Sequence, residues 1–194
     1  MATQMTSARR GIATNEMKQV AKDEDVTLDW LIPKVASGSI IIPSNNVRKE
    51  KIHNVAIGKG TKTKVNVNIG TSTLNVDIDE EVEKAKVAVK YHADTIMGLS
   101  DGGDVGIVRR KLLEVAPITF GTVPIYEAYN FGVEKHKNPL DITEDDFLKA
   151  FENNIKDGVD YTTIHSGITK EIAKRILKVE RYAGVVSKGG TITA

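Results

Sequence analysis

Cysteine is missing from all 194 residues. The chain can therefore offer no disulfide, no thiolate zinc site, no cysteine nucleophile and no cysteine ligand to an iron–sulfur cluster. An excess of one charge is missing too. Lys plus Arg number 27 against 26 Asp plus Glu, a formal net charge of +1. No global field draws the chain toward nucleic acid or an anionic membrane surface. No apolar run approaches the roughly 18 residues of a membrane span. The opening "MATQMTSARR" lacks the apolar stretch of a secretory signal. The expectation is a cytoplasmic protein with neither a nucleic-acid nor a membrane partner. What is present, 40% hydrophobic and 27% charged residues, suits a globular domain with a real core.

Residues 1–60 read as a mostly helical or irregular N-terminal segment. "TNEMKQVAKDED" forms a helix capped by Thr14, and "TLDWLIPKVASG" a second that stops at Gly38, with Pro33 near its start or kinking it. "SIIIPSNN" is extended and ends in a turn. From residue 61 onward the pattern is regular. "TKVNVNIGTS" alternates Val65, Val67 and Ile69 against Lys64, Asn66 and Asn68, the period of a strand. "DEEVEKAKVAVKYH" sets Val82, Ala85, Lys86 and Val89 at helical spacing behind an acidic first turn. Strand "ADTIMGLS", helix "DVGIVRRKLLEVA", strand "PITFGTVPIY" and helix "TEDDFLKAFENNIKDG" follow, the last capped by Thr143 and closed by Gly158. Then come strand "GVDYTTIHSG", helix "TKEIAKRILKV" and strand "AGVVSKGG". Strands alternating strictly with helices predict a parallel sheet with right-handed helical crossovers. An eight-stranded barrel takes about 250 residues. The fold class expected for residues 61–194 is thus α/β, a partial (β/α)8 TIM-type barrel made of its first five parallel strands.

In such folds the C-terminal strand ends and the loops after them form the functional face. Polar residues gather there. The first barrel strand ends at Asn68, the second at Met97 before "LSDGGD", the third at Tyr126, the fourth at His165 and Ser166, the fifth at Ser187, Lys188 and Gly189. Each alone has a bland reading: Asn68 as a turn cap, Met97 as core filler, Tyr126 as a packing aromatic, His165 as a structural imidazole, Lys188 as a solvated turn. Five at equivalent positions read as a site. "SKGGT" offers unobstructed backbone N–H groups with a hydroxyl and an ammonium, a combination that suits a phosphate. Asn68 and Tyr126 can hydrogen-bond a heterocycle or ribose, and His165 can bind a ligand or move a proton near neutral pH. A small phosphorylated ligand is favoured over a polymer. Asp101 and Asp104 have metal-ligand chemistry but read first as turn residues.

The runs "TQMTSARRGI", "GSIIIPSN", "VNVNIGTS", "EEVEKAKVAVKYHADTIMGLS", "GTVPIYEA", "GVDYTTIHSG" and "GVVSKGGTI" together resemble the phosphomethylpyrimidine synthase family of thiamine pyrimidine biosynthesis. The resemblance covers nearly the whole chain. It implies an α/β barrel and a radical S-adenosylmethionine reaction, a carbon–carbon lyase that turns aminoimidazole ribotide into hydroxymethylpyrimidine phosphate. It implies a [4Fe–4S] cluster and a divalent metal as further cofactors. The family's substrate-binding motifs fall on Asn68, Met97, Tyr126, His165 and the tripeptide Ser187-Lys188-Gly189. Where the family usually carries Arg in that tripeptide, this chain has Lys188, which lacks the bidentate guanidinium fork. The family's later Asp-Gly-Leu-Arg motif, its metal-binding His pair and its C-x-x-C-x-x-x-x-C cluster motif are not in this sequence.

Cluster, S-adenosylmethionine and metal are accordingly expected not to be held by this chain alone. The expectation is a truncated or split synthase that carries part of the substrate site, completed as a homo-oligomer or by a second chain. Two other readings remain open at this point. One is a non-catalytic ribotide- or phosphate-binding module, or a scaffold completing a partner. The other is an aldolase-like lyase with Lys188 as a Schiff-base amine.

Overall fold

Three helices open the chain: α1 (Gln4–Arg9), α2 (Asn15–Glu24) and α3 (Leu28–Ser37). The computed structural model describes residues 3–48, 52–180 and 182–193. Each of these helices starts at a threonine. The hydroxyls of Thr3, Thr14 and Thr27 accept the backbone N–H of Thr6, Met17 and Trp30, satisfying donors that a first turn leaves open. Pro33 lies inside α3, and Gly38 closes it. Met17, Val20, Leu31, Val35, Ile40 and Ala56 pack into one core. Beside them β1 (Ile40–Ile41) pairs antiparallel with β2 (Ile57–Gly58).

A second core lies under a parallel sheet. Strands β3 (Asn66–Ile69), β4 (Thr95–Gly98), β5 (Thr119–Thr122) and β6 (Tyr161–Thr162) follow one another in the order β3-β4-β5-β6. Helices α4 (Ile78–Lys90) and α5 (Val105–Val115) make the first two crossovers. The third is made by α6 (Pro124–His136), a 3-10 turn (Pro139–Asp141) and α7 (Glu144–Asp157). Alternation decides which side chains meet the helices. Val67, Ile69, Ile96 and Phe120 pack with Ala85, Ala88, Val108 and Leu112. The intervening residues Asn66, Asn68, Thr95, Met97, Thr119, Gly121 and Tyr161 share the opposite face, by the register of the ladders.

This is the α/β class with parallel strands that the sequence predicts, as an open sheet rather than a closed barrel. Two segments differ from expectation. "PIY" at the end of the expected strand "PITFGTVPIY" is not strand but the first turn of α6, with Pro124 at its start. Proline costs nothing there, since that N–H has no helical partner. Tyr126 therefore sits on a helix. "AGVVSKGG" is not a fifth strand either. Residues 183–187 are irregular, and Lys188–Thr193 forms a short helix, α9, after α8 (Lys170–Ile176). An extended segment needs a partner edge for its N–H and C=O groups, and β6 presents an edge of only two residues. Val186 is left 84% exposed.

The N-terminal segment docks on the sheet through Asp160, just before β6. Its carboxylate accepts hydrogen bonds from the backbone N–H of Asn45 (2.8 Å) and of Phe120 (2.9 Å), and Arg48 pairs with it at 3.0 Å.

A second buried carboxylate gives the fold an acid-sensitive point. Asp146, in the first turn of α7, is 1% exposed. It accepts from Lys135 Nζ (2.8 Å), Thr143 N (2.9 Å) and Thr143 Oγ1 (2.8 Å), and His136 Nε2 lies 2.9 Å away. The Lys135 ammonium first, then the Thr143 donors, hold this carboxyl well below the usual carboxylate range. A carboxylate depressed in the folded state stabilises fully above its unfolded pKa, about 3.9, and loses that contribution as pH falls toward the folded value. Urea midpoints should therefore drop below about pH 4, and the drop should be shallower in Asp146→Asn. An identical acid limb in both proteins would contradict this.

Candidate functional site

The loops that leave β3 and β4 are bonded to each other at the C-terminal end of the sheet. Leu99 N donates to Ile69 O (2.7 Å), Asp101 N to Thr71 O (3.0 Å), and Thr71 Oγ1 to Gly102 O (2.7 Å). Asp101 is thereby fixed above the strand ends. Its own carbonyl accepts from Asn130 Nδ2 of α6 at 2.8 Å. The carboxylate pairs with Lys188 Nζ from the start of α9. That ammonium also lies 5.6 Å from the centroid of the Tyr126 ring, within cation–π range.

His165, in the loop after β6, completes the group. Its Nε2 is 3.4 Å from Ser187 Oγ. Its ring lies against Gly189 so closely that a Cβ there would come within 2.1 Å of Cε1. Glycine is required at 189 because an imidazole occupies the space a side chain would fill. Asp101 Oδ1 and His165 Nδ1 are both buried without a hydrogen-bond partner among the described residues.

Of the residues singled out from sequence, Tyr126, His165, Ser187, Lys188 and Gly189 are thus brought together by three different segments, α6, the loop after β6 and the start of α9. Asn68 and Met97 lie on the sheet itself, as register partners on β3 and β4. Asn68 Oδ1 accepts from Asn66 Nδ2 at 3.0 Å.

Three features depart from the reading of the sequence. The backbone of "SKGGT" is not an open cradle. Because the chain turns into α9 at Lys188, Ser187 caps it: Ser187 Oγ accepts from Gly190 N (3.1 Å), and Ser187 O accepts from Thr191 N (2.9 Å). Asp101 is no mere turn residue but the counter-ion of Lys188, whereas Asp104 caps α5 by accepting from Ile107 N at 2.9 Å. The third is Tyr161. Its ring crosses β5 over Gly121, where a Cβ would lie 2.3 Å from Cζ. Its hydroxyl donates to Asn66 Oδ1 (3.1 Å), which also accepts from Thr95 Oγ1 (2.7 Å). Burial pushes the Tyr161 phenol up from its ordinary value. The signal for Tyr161 was in the alternation: it shares a face with Asn66 and Asn68.

The donor set here is suited to anions and hydrogen-bonding ligands, not to metals. Among the described residues no three His, Asp or Glu side chains gather as a metal site. His53 pairs with Asp23 at 3.0 Å, and His136 is engaged by Asp146. The sequence has no thiolate to hold a cluster, and among the described residues no ligand set for a divalent metal is gathered. No helix among the described residues is long and apolar enough to cross a membrane.

Comparison with known proteins gives a consistent result. The profile of the Radical SAM ThiC family matches residues 3–194. Phosphomethylpyrimidine synthase of Pyrococcus furiosus is 48% identical over 192 residues, 99% of this chain and 44% of that protein. The phosphomethylpyrimidine synthase of Thermus thermophilus is 44% identical over the same share of each. Phosphomethylpyrimidine synthase 1 of Methanothermobacter thermautotrophicus is 43% identical, again over 99% and 44%. The chain spans less than half the length of these relatives.

Proposed function

The chain belongs to the Radical SAM ThiC family, and on that premise we propose that it forms the substrate-holding part of a phosphomethylpyrimidine synthase in the cytoplasm. The substrate is aminoimidazole ribotide and the product hydroxymethylpyrimidine phosphate, with S-adenosylmethionine as co-substrate. The observation that carries the reading is the Lys188 cluster. One ammonium, an imidazole, a serine hydroxyl and a tyrosine ring meet above the strand ends, with two buried polar atoms that have no partner among the described residues. Lys188 takes the phosphate, and Ser187 and His165 hydrogen-bond beside it. Tyr126 covers the ammonium on one side. Asn68 and Met97 contact the heterocycle from the sheet face. S-adenosylmethionine and the cluster supply the radical chemistry. The thiolates that would hold the cluster are not in this sequence, and the part of the reaction assigned to this chain's residues is to bind and orient the ribotide.

The Schiff-base alternative fits less well. A lysine nucleophile needs a desolvated or cation-flanked amine. Lys188 is instead ion-paired to a carboxylate, and its side chain is 43% exposed.

Binding of ribotide against the unphosphorylated nucleoside tests the proposal. Lys188→Ala should weaken ribotide binding by roughly tenfold, the scale of one charge-assisted hydrogen bond, and leave nucleoside binding nearly unchanged. Equal losses for both ligands would count against a phosphate role.

A further inference from the structure

We propose that Asp101 is a built-in stand-in for the ligand's anion. It holds the Lys188 ammonium until a phosphate monoester takes that ammonium over. The released carboxylate then accepts a hydrogen bond from an N–H or O–H donor on the same molecule. This rests on reading the Lys188 cluster as the seat of a phosphorylated ligand, and it adds which phosphorylated ligands that seat admits.

The two partners of the pair are held very differently. Asp101 is fixed by its backbone, with its N–H on Thr71 O at 3.0 Å and its carbonyl on Asn130 Nδ2 at 2.8 Å. Its side chain is 17% exposed, against 43% for Lys188. The lysine is therefore the partner that moves, on a flexible four-carbon stem, while the carboxylate stays. The Tyr126 ring gives the ammonium a second surface to rest on as it turns from Asp101 to a ligand.

The carboxylate is also only half used. Lys188 engages Oδ2, and Oδ1 is buried with no partner among the described residues. Across the cluster, His165 Nδ1 is in the same condition. A carboxylate has capacity for several donors, and a buried polar atom left unpaired is costly. An ionised ester such as methyl phosphate at Lys188 would sit beside Asp101 as a like charge, and its organic group would bring Oδ1 no donor. A monoester that carries amine or hydroxyl donors supplies what Oδ1 lacks and turns that repulsion into a hydrogen bond. Asp101 thus selects against donor-free esters by the unpaired charge they would leave.

The experiment is calorimetric titration of the intact chain, as its gene encodes it, with methyl phosphate, glycerol 3-phosphate and aminoimidazole ribotide. The parent should prefer the two donor-bearing esters over methyl phosphate. Asp101→Asn should bind methyl phosphate about three- to fivefold tighter, the scale of a partly exposed ion pair, and should lose that preference. Asp101→Ser, which removes the carboxylate with a smaller side chain, should behave in the same way and covers any failure of the asparagine variant to fold. Unchanged methyl phosphate affinity in both variants overturns the inference. Lys188→Ala separates the two levels. If it weakens binding of all three esters roughly tenfold or more while the Asp101 variants match the parent, the site stands and the role of Asp101 falls. If it binds them as the parent does, or if the parent binds none, the site itself falls and the inference with it.

Discussion

Arg109→Ala is expected to cost about 3–5 kcal/mol of folding stability, the scale for removing one partner of a buried ion pair. Arg109 lies on α5 with only 6% of its side chain exposed. Its Nε and Nη2 donate to Asp157 Oδ2 of α7 at 2.9 and 2.6 Å, and its Nη1 to Glu127 Oε2 of α6 at 2.5 Å. Glu127 also accepts from Asn153 Nδ2 (3.0 Å) and Asn154 Nδ2 (2.7 Å), and Asn154 Oδ1 accepts from Thr122 Oγ1 of β5 at 2.7 Å. One guanidinium therefore ties three helices to the sheet. Truncating it leaves Glu127, 14% exposed, without its cation, and leaves Asp157, 17% exposed, with only the longer contact to Arg110. Urea denaturation measures the loss. Arg110→Ala is the control: it is 52% exposed and 3.4 Å from the same Asp157, so its removal should cost under about 1 kcal/mol. A loss that small for Arg109→Ala as well would show that the helices are held by packing alone. The effect reaches the site, because Glu127 adjoins Tyr126, and Asn130, one turn further along α6, bonds the carbonyl of Asp101.

The sequence carries the sheet and its helices because each element obeys a local rule. Val67 and Ile69 alternate, Thr143 and Gly158 mark the ends of α7, and Asp77 precedes an acidic first turn in α4. It misleads where β-branched composition stands without a partner. Val185 and Val186 read as strand, yet the β6 edge that would pair with them is only two residues long, and a strand is a property of two segments. Tyr126 misleads for another reason. Apolar and aromatic residues continue from β5 straight into α6, and Pro124, which can start a helix as readily as end a strand, is the only punctuation. The site shows the same division. Residues after strand ends are placed by topology, so His165 is legible. Asp101 could not be paired with Lys188 in advance, because 87 residues separate them and the contact depends on α9 folding back over α6.

Reconstituted anaerobically with iron and sulfide, this 194-residue chain is expected to show no cluster absorbance and to make no pyrimidine from aminoimidazole ribotide and S-adenosylmethionine. The reason is compositional. A cluster that cleaves S-adenosylmethionine is held by thiolates, and the chain has no cysteine to give. Its four histidines are not a substitute set, since His53 and His136 are engaged by Asp23 and Asp146 and lie on separate elements. The sheet carries a second requirement. β3 and β6 are unpaired edges among the described residues, and Val65, Leu74 and Ile164 are 58%, 98% and 59% exposed near them. Unpaired edges beside apolar side chains favour pairing with another chain. The chain should therefore self-associate in sedimentation when alone. It should become monodisperse when mixed with a cysteine-bearing fragment corresponding to the rest of a relative such as the Pyrococcus furiosus enzyme. Activity should appear only in that mixture. Product from the 194-residue chain alone would show that the thiolate-bearing half is dispensable and overturn the reading. A monodisperse, cooperatively melting chain that ignores the second fragment would show that its edges need no partner, and that any ribotide site is complete within these residues.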